Sequence, residues 1–167
     1  IIVNSYSMLL RPEILSIPRY GAVNLHGALL PQYRGCNPMQ WALLNNESET
    51  GVTMHYMDET FDTGDIIAQR RVPIYFGDTW LDLQSRISEA TKLLLAEEMP
   101  RLIAGTSSRR PQEASRARYY ARRYPKDGLI DWQRSVLYLY NLIRALVRPH
   151  PGAFYYAGAE KIVLDEY

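Results

Sequence analysis

Asn24 and His26 stand two residues apart in the run Ala22–His26. In extended backbone, residues i and i+2 project to one face, so these two side chains can act on one atom. Asp62 is a further candidate polar group. It lies in the polar loop Asp58–Gly64, just past the β-branched run Gly51–Met57. Each residue also has an ordinary alternative: a hydrogen-bonded strand-end histidine for His26, an Asx-turn for Asp62.

Metal chemistry is not expected. The acidic loop of Asp58, Glu59, Asp62 and Asp65 lacks the alternating oxygens and distant Glu of an EF-hand. His26, His55, His150 and Cys36 have no zinc spacing. His55 reads as structural support beneath the site.

The elements that position these groups follow from the pattern of apolar residues and breakers. Ile1–Asn4 reads as a parallel-type strand, apolar on both faces, with Ser5-Tyr6-Ser7 as a loop at its carboxyl end, where ligands favour α/β sheets. Leu9–Ser16 suggests a short helix with Pro12 in its first turn, and Ala22–His26 the next strand. A long loop, Gly27–Asn37, leads to a helix opened by Pro38 and running to Asn46. Gly51–Met57 and Ile66–Ile74 read as strands. Thr79 and Asp82 form a capping box at the start of the longest helix, whose apolar stripe is Leu83, Ile87, Ala90, Leu94 and Leu102, with Pro100 expected to end or kink it.

The stretch Gly105–Arg118, rich in Ser, Arg and Gln, has linker composition, which divides the chain into 1–110 and 111–167. Beyond it come a helix over Ser135–Val147 and two short strands around Gly158. The last strand-like run extends over Lys161–Tyr167.

Composition bounds the classes. Of 167 residues, 47% are hydrophobic and 22% charged, typical of a globular protein with one main core. The formal net charge of +1 supplies no field for nucleic acid or an acidic membrane, although it leaves tRNA open. A single cysteine, with no apolar run of membrane-spanning length and no signal sequence, points to a reducing cytoplasm. The chain has no starting methionine and opens in a strand, as if in the middle of a fold.

Taken in order, Asn24-x-His26, Leu29-Leu30-Pro31-Gln32-Tyr33-Arg34-Gly35, Gly51-Val52-Thr53-Met54-His55 and Asp62-Thr63-Gly64-Asp65-Ile66 resemble the folate-dependent formyltransferases. The resemblance continues through Arg123-Tyr124-Pro125-Lys126-Asp127-Gly128, Ile130-Asp131-Trp132, Asn141–Ala145 and Arg148–Phe154. It implies an α/β fold: a Rossmann-like, mostly parallel sheet with flanking helices, its amino-terminal strands outside this sequence, followed by the start of a small β-rich, OB-like domain.

The same resemblance implies 10-formyltetrahydrofolate as co-substrate, and Asn24, His26 and Asp62 as catalytic residues. In that chemistry a neutral amine attacks the formyl carbon. Asn24 and His26 stabilise the oxygen, and Asp62 takes the proton and holds His26 in its productive state. The pterin would lie beside Met8, Leu9 and Leu10 and against the loop Met57, Asp58, Glu59, Thr60 and Phe61.

The tail past residue 120 resembles the methionyl-tRNA and sugar branches of the family rather than the glycinamide ribonucleotide branch. Asn37-Pro38-Met39-Gln40-Trp41 is more similar to sugar N-formyltransferases. A nucleotide-linked amino sugar is therefore the expected acceptor, with Tyr33, Arg34, Asn37 and Trp41 near it, and a homodimer the assembly often found in that branch. Methionyl-tRNA formylation, hydrolysis of the cofactor to formate and an inactive folate-binding module stay open as alternatives.

Overall fold

A computed structural model describes residues 1–6 and 8–164. The loop reading at Ser7 and the strand reading at Asp165–Tyr167 lie outside the described residues. One four-stranded sheet organises the first two thirds of the chain. Its order is β1 (Ile2–Asn4), β2 (Val23–His26), β4 (Glu49–Tyr56) and β5 (Ile66–Pro73).

The β1–β2 pair is parallel, as expected, but β2–β4 and β4–β5 are antiparallel, so within this span the sheet is mixed rather than mostly parallel. For β4–β5 the reason lies in the connection. A short polar loop joins β4 to β5, and a parallel return needs a crossover of a dozen or more residues.

β4 is the central strand, and every residue from Thr50 to Tyr56 is buried. On one face Val23 and Leu25 of β2 meet Val52, Met54 and Tyr56 of β4 in the apolar core. The other face carries Asn24, His26, Thr53 and His55, because side chains alternate along both strands. Thr53 is fully buried and is consumed structurally. Its hydroxyl donates to the Ala28 carbonyl at 2.6 Å and accepts from Leu30 N–H at 3.0 Å, fastening the loop after β2 to β4.

Helix α1 is a single turn, Pro12–Leu15, with no buried residue, shorter than the helix read over Leu9–Ser16; too few apolar contacts exist to extend it. Helix α2 (Pro38–Leu44) begins at its proline and buries Ala42, Leu43 and Leu44. Helix α3 (Trp80–Ala104) starts in the Thr79–Asp82 capping box and packs its Leu83–Ile87–Ala90–Leu94 stripe on the sheet. It passes through Pro100 and stops at Gly105, which has φ 71° and donates to the Arg101 and Leu102 carbonyls. The missing Pro100 N–H does not end the helix, because Leu102, beyond it, is buried in the core.

The segment read as a linker is stitched to the sheet. Arg110 and Ile66 exchange both backbone hydrogen bonds, and β6 (Tyr119–Tyr120) pairs in parallel with β3 (Arg34–Gly35). Beyond it, helix α4 (Val136–Ala145) packs against α2, and β7 (Ala153–Ala157) and β8 (Glu160–Leu164) form an antiparallel hairpin turning at Gly158. Among the described residues no helix is long and apolar enough to cross a membrane.

Candidate active site

Asn24 and His55 are directly opposed across the antiparallel β2–β4 pair, and their side chains meet with Nδ2···Nε2 at 3.2 Å. The proton positions follow from the partners. His55 Nδ1 lies 2.8 Å from the Tyr56 carbonyl, which only accepts, so that nitrogen carries a hydrogen. In the neutral ring Nε2 is then a bare acceptor for Asn24. By the same logic His26 Nε2–H donates to the Tyr33 carbonyl at 2.7 Å, leaving Nδ1 bare in the neutral ring.

Both bare nitrogens face one carboxylate. Asp62 Oδ1 is 3.5 Å from His26 Nδ1 and 3.6 Å from His55 Nε2, while Oδ2 accepts the Gly35 N–H at 2.8 Å. A β-bulge between Met54 and His55 shifts the β4–β5 register beside this cluster, a common irregularity next to functional sites.

Burial holds the His26 imidazole below its ordinary pKa even though the Asp62 carboxylate pulls the other way. For Asp62, burial works to raise the pKa, but His55, the His26 charge and the Gly35 N–H outweigh it, and the group is held below the usual carboxylate range. At neutral pH the site therefore contains an ionised Asp62 carboxylate beside a neutral His26. Asn24 keeps a second amide N–H for a ligand oxygen.

Two connected hollows meet at this cluster. A small one runs from Asn24, His55 and Asp62 between Tyr6, Met8 and Leu9 on one side and Met57, Thr60 and Phe61 on the other. Met8 and Phe61 are 62% and 48% exposed, so the walls offer apolar surface to a flat ring. The second is a cleft of about 1180 Å³ that passes His26, Gly35, Cys36 and Asn37, and is walled by α3 and by Tyr119–Arg123.

Of the residues expected to touch the pterin, Met8, Leu9, Met57, Thr60 and Phe61 line the first hollow, and Leu10, Asp58 and Glu59 do not. The Asp58 carboxylate is occupied by Thr60 and Thr63 and folds its own loop. Of the expected acceptor contacts, only Asn37 lines the cleft. Tyr33 is buried, stacked on Tyr120 and bonded through its hydroxyl to Glu47. Arg34 is buried against Gln112 and Tyr119, and the Trp41 indole donates to the Ala121 carbonyl. These three are committed to packing, because the Tyr119–Ala121 strip lies over them.

Sequence reasoning missed His55 as a member of the cluster and Gln112 as a neighbour of Asp62. The spacing of Thr53 and His55 signals a shared face, but only the strand register shows that the face is that of Asn24. Nothing local marks Gln112.

The family model described as formyl transferase matches residues 1–99, and that of the formyl transferase C-terminal domain matches 123–166. The chain belongs to the formyl transferase family.

Solved structures of formyltransferases share its fold. An N-formyltransferase from Helicobacter canadensis, solved with folinic acid and dTDP-3-aminofucose, is 31% identical with a TM-score of 0.70, over 75% of this chain and 47% of that one. The formyltransferase PseJ from Anoxybacillus kamchatkensis, solved with UDP-4,6-dideoxy-4-formamido-L-AltNAc and tetrahydrofolate, is 32% identical with a TM-score of 0.65, over 72% of this chain and 62% of that one. A methionyl-tRNA formyltransferase from Clostridium thermocellum matches 96% of this chain and 68% of its own, at 24% identity and a TM-score of 0.74, a likeness of fold. This formyl transferase chain thus spans about half to three fifths of the length of the two sugar-bound proteins.

Proposed function

We propose that this chain transfers a formyl group from 10-formyltetrahydrofolate to the amine of a nucleotide-linked amino sugar. The observation that carries the reading is the Asp62 carboxylate, whose Oδ1 lies within 3.6 Å of a ring nitrogen of both His26 and His55, at the junction of two hollows that Asn24 also lines. The two relatives above 30% identity, described with folates and nucleotide sugars, support the substrate class.

The small hollow, of about 30 Å³, does not enclose a pterin ring, but the exposed apolar side chains of Met8 and Phe61 at its rim offer a face for one to lie against. The cleft exceeds the volume of a pocket for one drug-sized ligand, about 300–1,000 Å³, and so has room for a second substrate. When bound, 10-formyltetrahydrofolate supplies an electrophilic formyl carbon attached to an amine leaving group.

The protein's part is to hold charge and move a proton. Asn24 donates its free amide N–H to the formyl oxygen as negative charge gathers there. Asp62 accepts the proton released by the attacking nitrogen, and the folate N10 takes up a proton as the formyl carbon–N10 bond breaks and tetrahydrofolate leaves. A proton entering at His26 Nδ1 forms an imidazolium against the carboxylate. Neutral His26 has no free N–H for the substrate, because its one proton is on Nε2 and bonded to Tyr33.

The test is product analysis after incubation with 10-formyltetrahydrofolate and, in parallel, dTDP- or UDP-linked 3-amino and 4-amino sugars, charged initiator tRNA, and no acceptor. Formylated sugar is expected. Formyl-methionyl-tRNA alone, or formate release that no sugar diverts, overturns the reading.

A further inference from the structure

Asp62 has φ 57°, in the left-handed region, a conformation that its neighbours hold. Its loop is gripped from two sides by consecutive residues of β3. Gly35 holds the carboxylate directly through its N–H. Arg34 holds the backbone indirectly: its Nε and Nη2 donate to Gln112 Oε1 at 3.1 and 2.7 Å, and Gln112 Nε2 donates to the Asp62 carbonyl at 2.9 Å and the Gly64 carbonyl at 2.8 Å.

The orientation of the Gln112 amide is unambiguous. Two guanidinium donors require an oxygen on one side, and two carbonyls require an NH2 on the other. Arg34 itself is 6% exposed and is anchored at its remaining nitrogen by the Tyr119 hydroxyl at 3.0 Å, so the strut rests on packed structure. A cation on the oxygen side of an amide also polarises its N–H groups and strengthens their donation.

We infer that Gln112, backed by Arg34, is a positioning residue that fixes the Asp62 loop so that the carboxylate stays between His26 and His55. The inference rests on the reading of Asp62 as proton acceptor. It gives the segment between the two family domains a part in the chemistry, although Gln112 lines neither hollow.

The experiment compares Gln112→Met, Gln112→Glu and Asp62→Asn in the full chain, with steady-state kinetics for both substrates and thermal unfolding. Gln112→Met matches the length and removes all the hydrogen bonds. Its kcat is expected to fall about 10–100-fold, as for a displacement of roughly 1 Å at the reacting groups, with both KM values little changed. A role in stability alone lowers Tm and leaves the kcat of the folded protein intact.

Should Gln112→Met not fold, Gln112→Glu decides by the same kcat-against-KM comparison. It keeps an acceptor for Arg34 but turns an oxygen toward the two loop carbonyls. Parental kcat in the folded Gln112 variant beside an inactive Asp62→Asn overturns the inference and leaves formyl transfer standing. Parental activity in Asp62→Asn overturns the reading of the site.

Discussion

Three basic atoms, Asp62 Oδ1, His26 Nδ1 and His55 Nε2, converge on one point, while the two proton-bearing ring nitrogens are tied to the backbone carbonyls of Tyr33 and Tyr56. Each carbonyl fixes a tautomer, so the site presents acceptors for a proton and a single amide donor for an oxygen. Asn24 is that donor. Asn24→Ala is expected to lower kcat about 10²–10³-fold, the cost of one oxyanion donor, with folate affinity retained. Single-turnover transfer and equilibrium folate binding check the two halves of this statement. Asn24 and His26 were legible from their spacing. The commitment of His26 Nε2 was not, because the carbonyl of Tyr33 reaches it only through the bend of the intervening loop.

At the scale of elements, the β4–β5 loop is shaped by close backbone approach. A Cβ on Gly64 would lie 1.9 Å from the Tyr56 carbonyl oxygen and 2.8 Å from its carbon, so neither the loop nor the strand can stay in place with a larger residue. Gly64→Ala is expected to fold, to melt at lower temperature and to lose at least about tenfold in kcat through displacement of Asp62; kinetics beside a melting curve separate the two effects. The Asp-Thr-Gly-Asp motif marked this loop in the sequence, and the α2 and α3 helix starts were readable from Pro38 and the Thr79 box. The extent of α1 and the course of α3 past Pro100 were not, since both are set by whether distant apolar partners exist.

At the scale of the whole molecule, α4 is locked to the catalytic part by Arg144, which is 1% exposed. Its Nη1 donates to the Tyr75, Phe76 and Asp78 carbonyls, and its Nε to Asn141. Arg144→Ala leaves these carbonyls, that of Asp78 buried, without this donor and is expected to cost about 3 kcal/mol, read as a shift of the denaturant midpoint.

Acid stability is also a whole-molecule property. His26 and His150 have folded pKa values depressed below 6.5, chiefly by burial, so the folded state binds fewer protons than the unfolded chain once pH drops below that value. Their contribution is complete above about pH 6.5 and is lost as pH falls through the depressed folded values. Asp62, also depressed, withdraws its contribution further down, below 3.8 and through its own folded value. Tm is expected to be level from pH 8 to about 7 and to decline steadily below 6.5; a Tm that rises on acidification contradicts the assignment.

The sequence by itself determined the residue types and their local parity: Asn24 and His26 on one face of a strand, a glycine-bearing acidic loop, and helices begun by proline or a capping box. These depend on neighbours within a few positions and on fixed backbone periods. The tertiary structure alone decided that His55 stands opposite Asn24, 31 residues away, and that Arg34 reaches Gln112, 78 residues away, to hold Asp62. It also decided that Tyr33, Arg34 and Trp41 pack inward while Asn37 faces the cleft. Strand register and burial of this kind are set by long-range pairing, and no local spacing carries them.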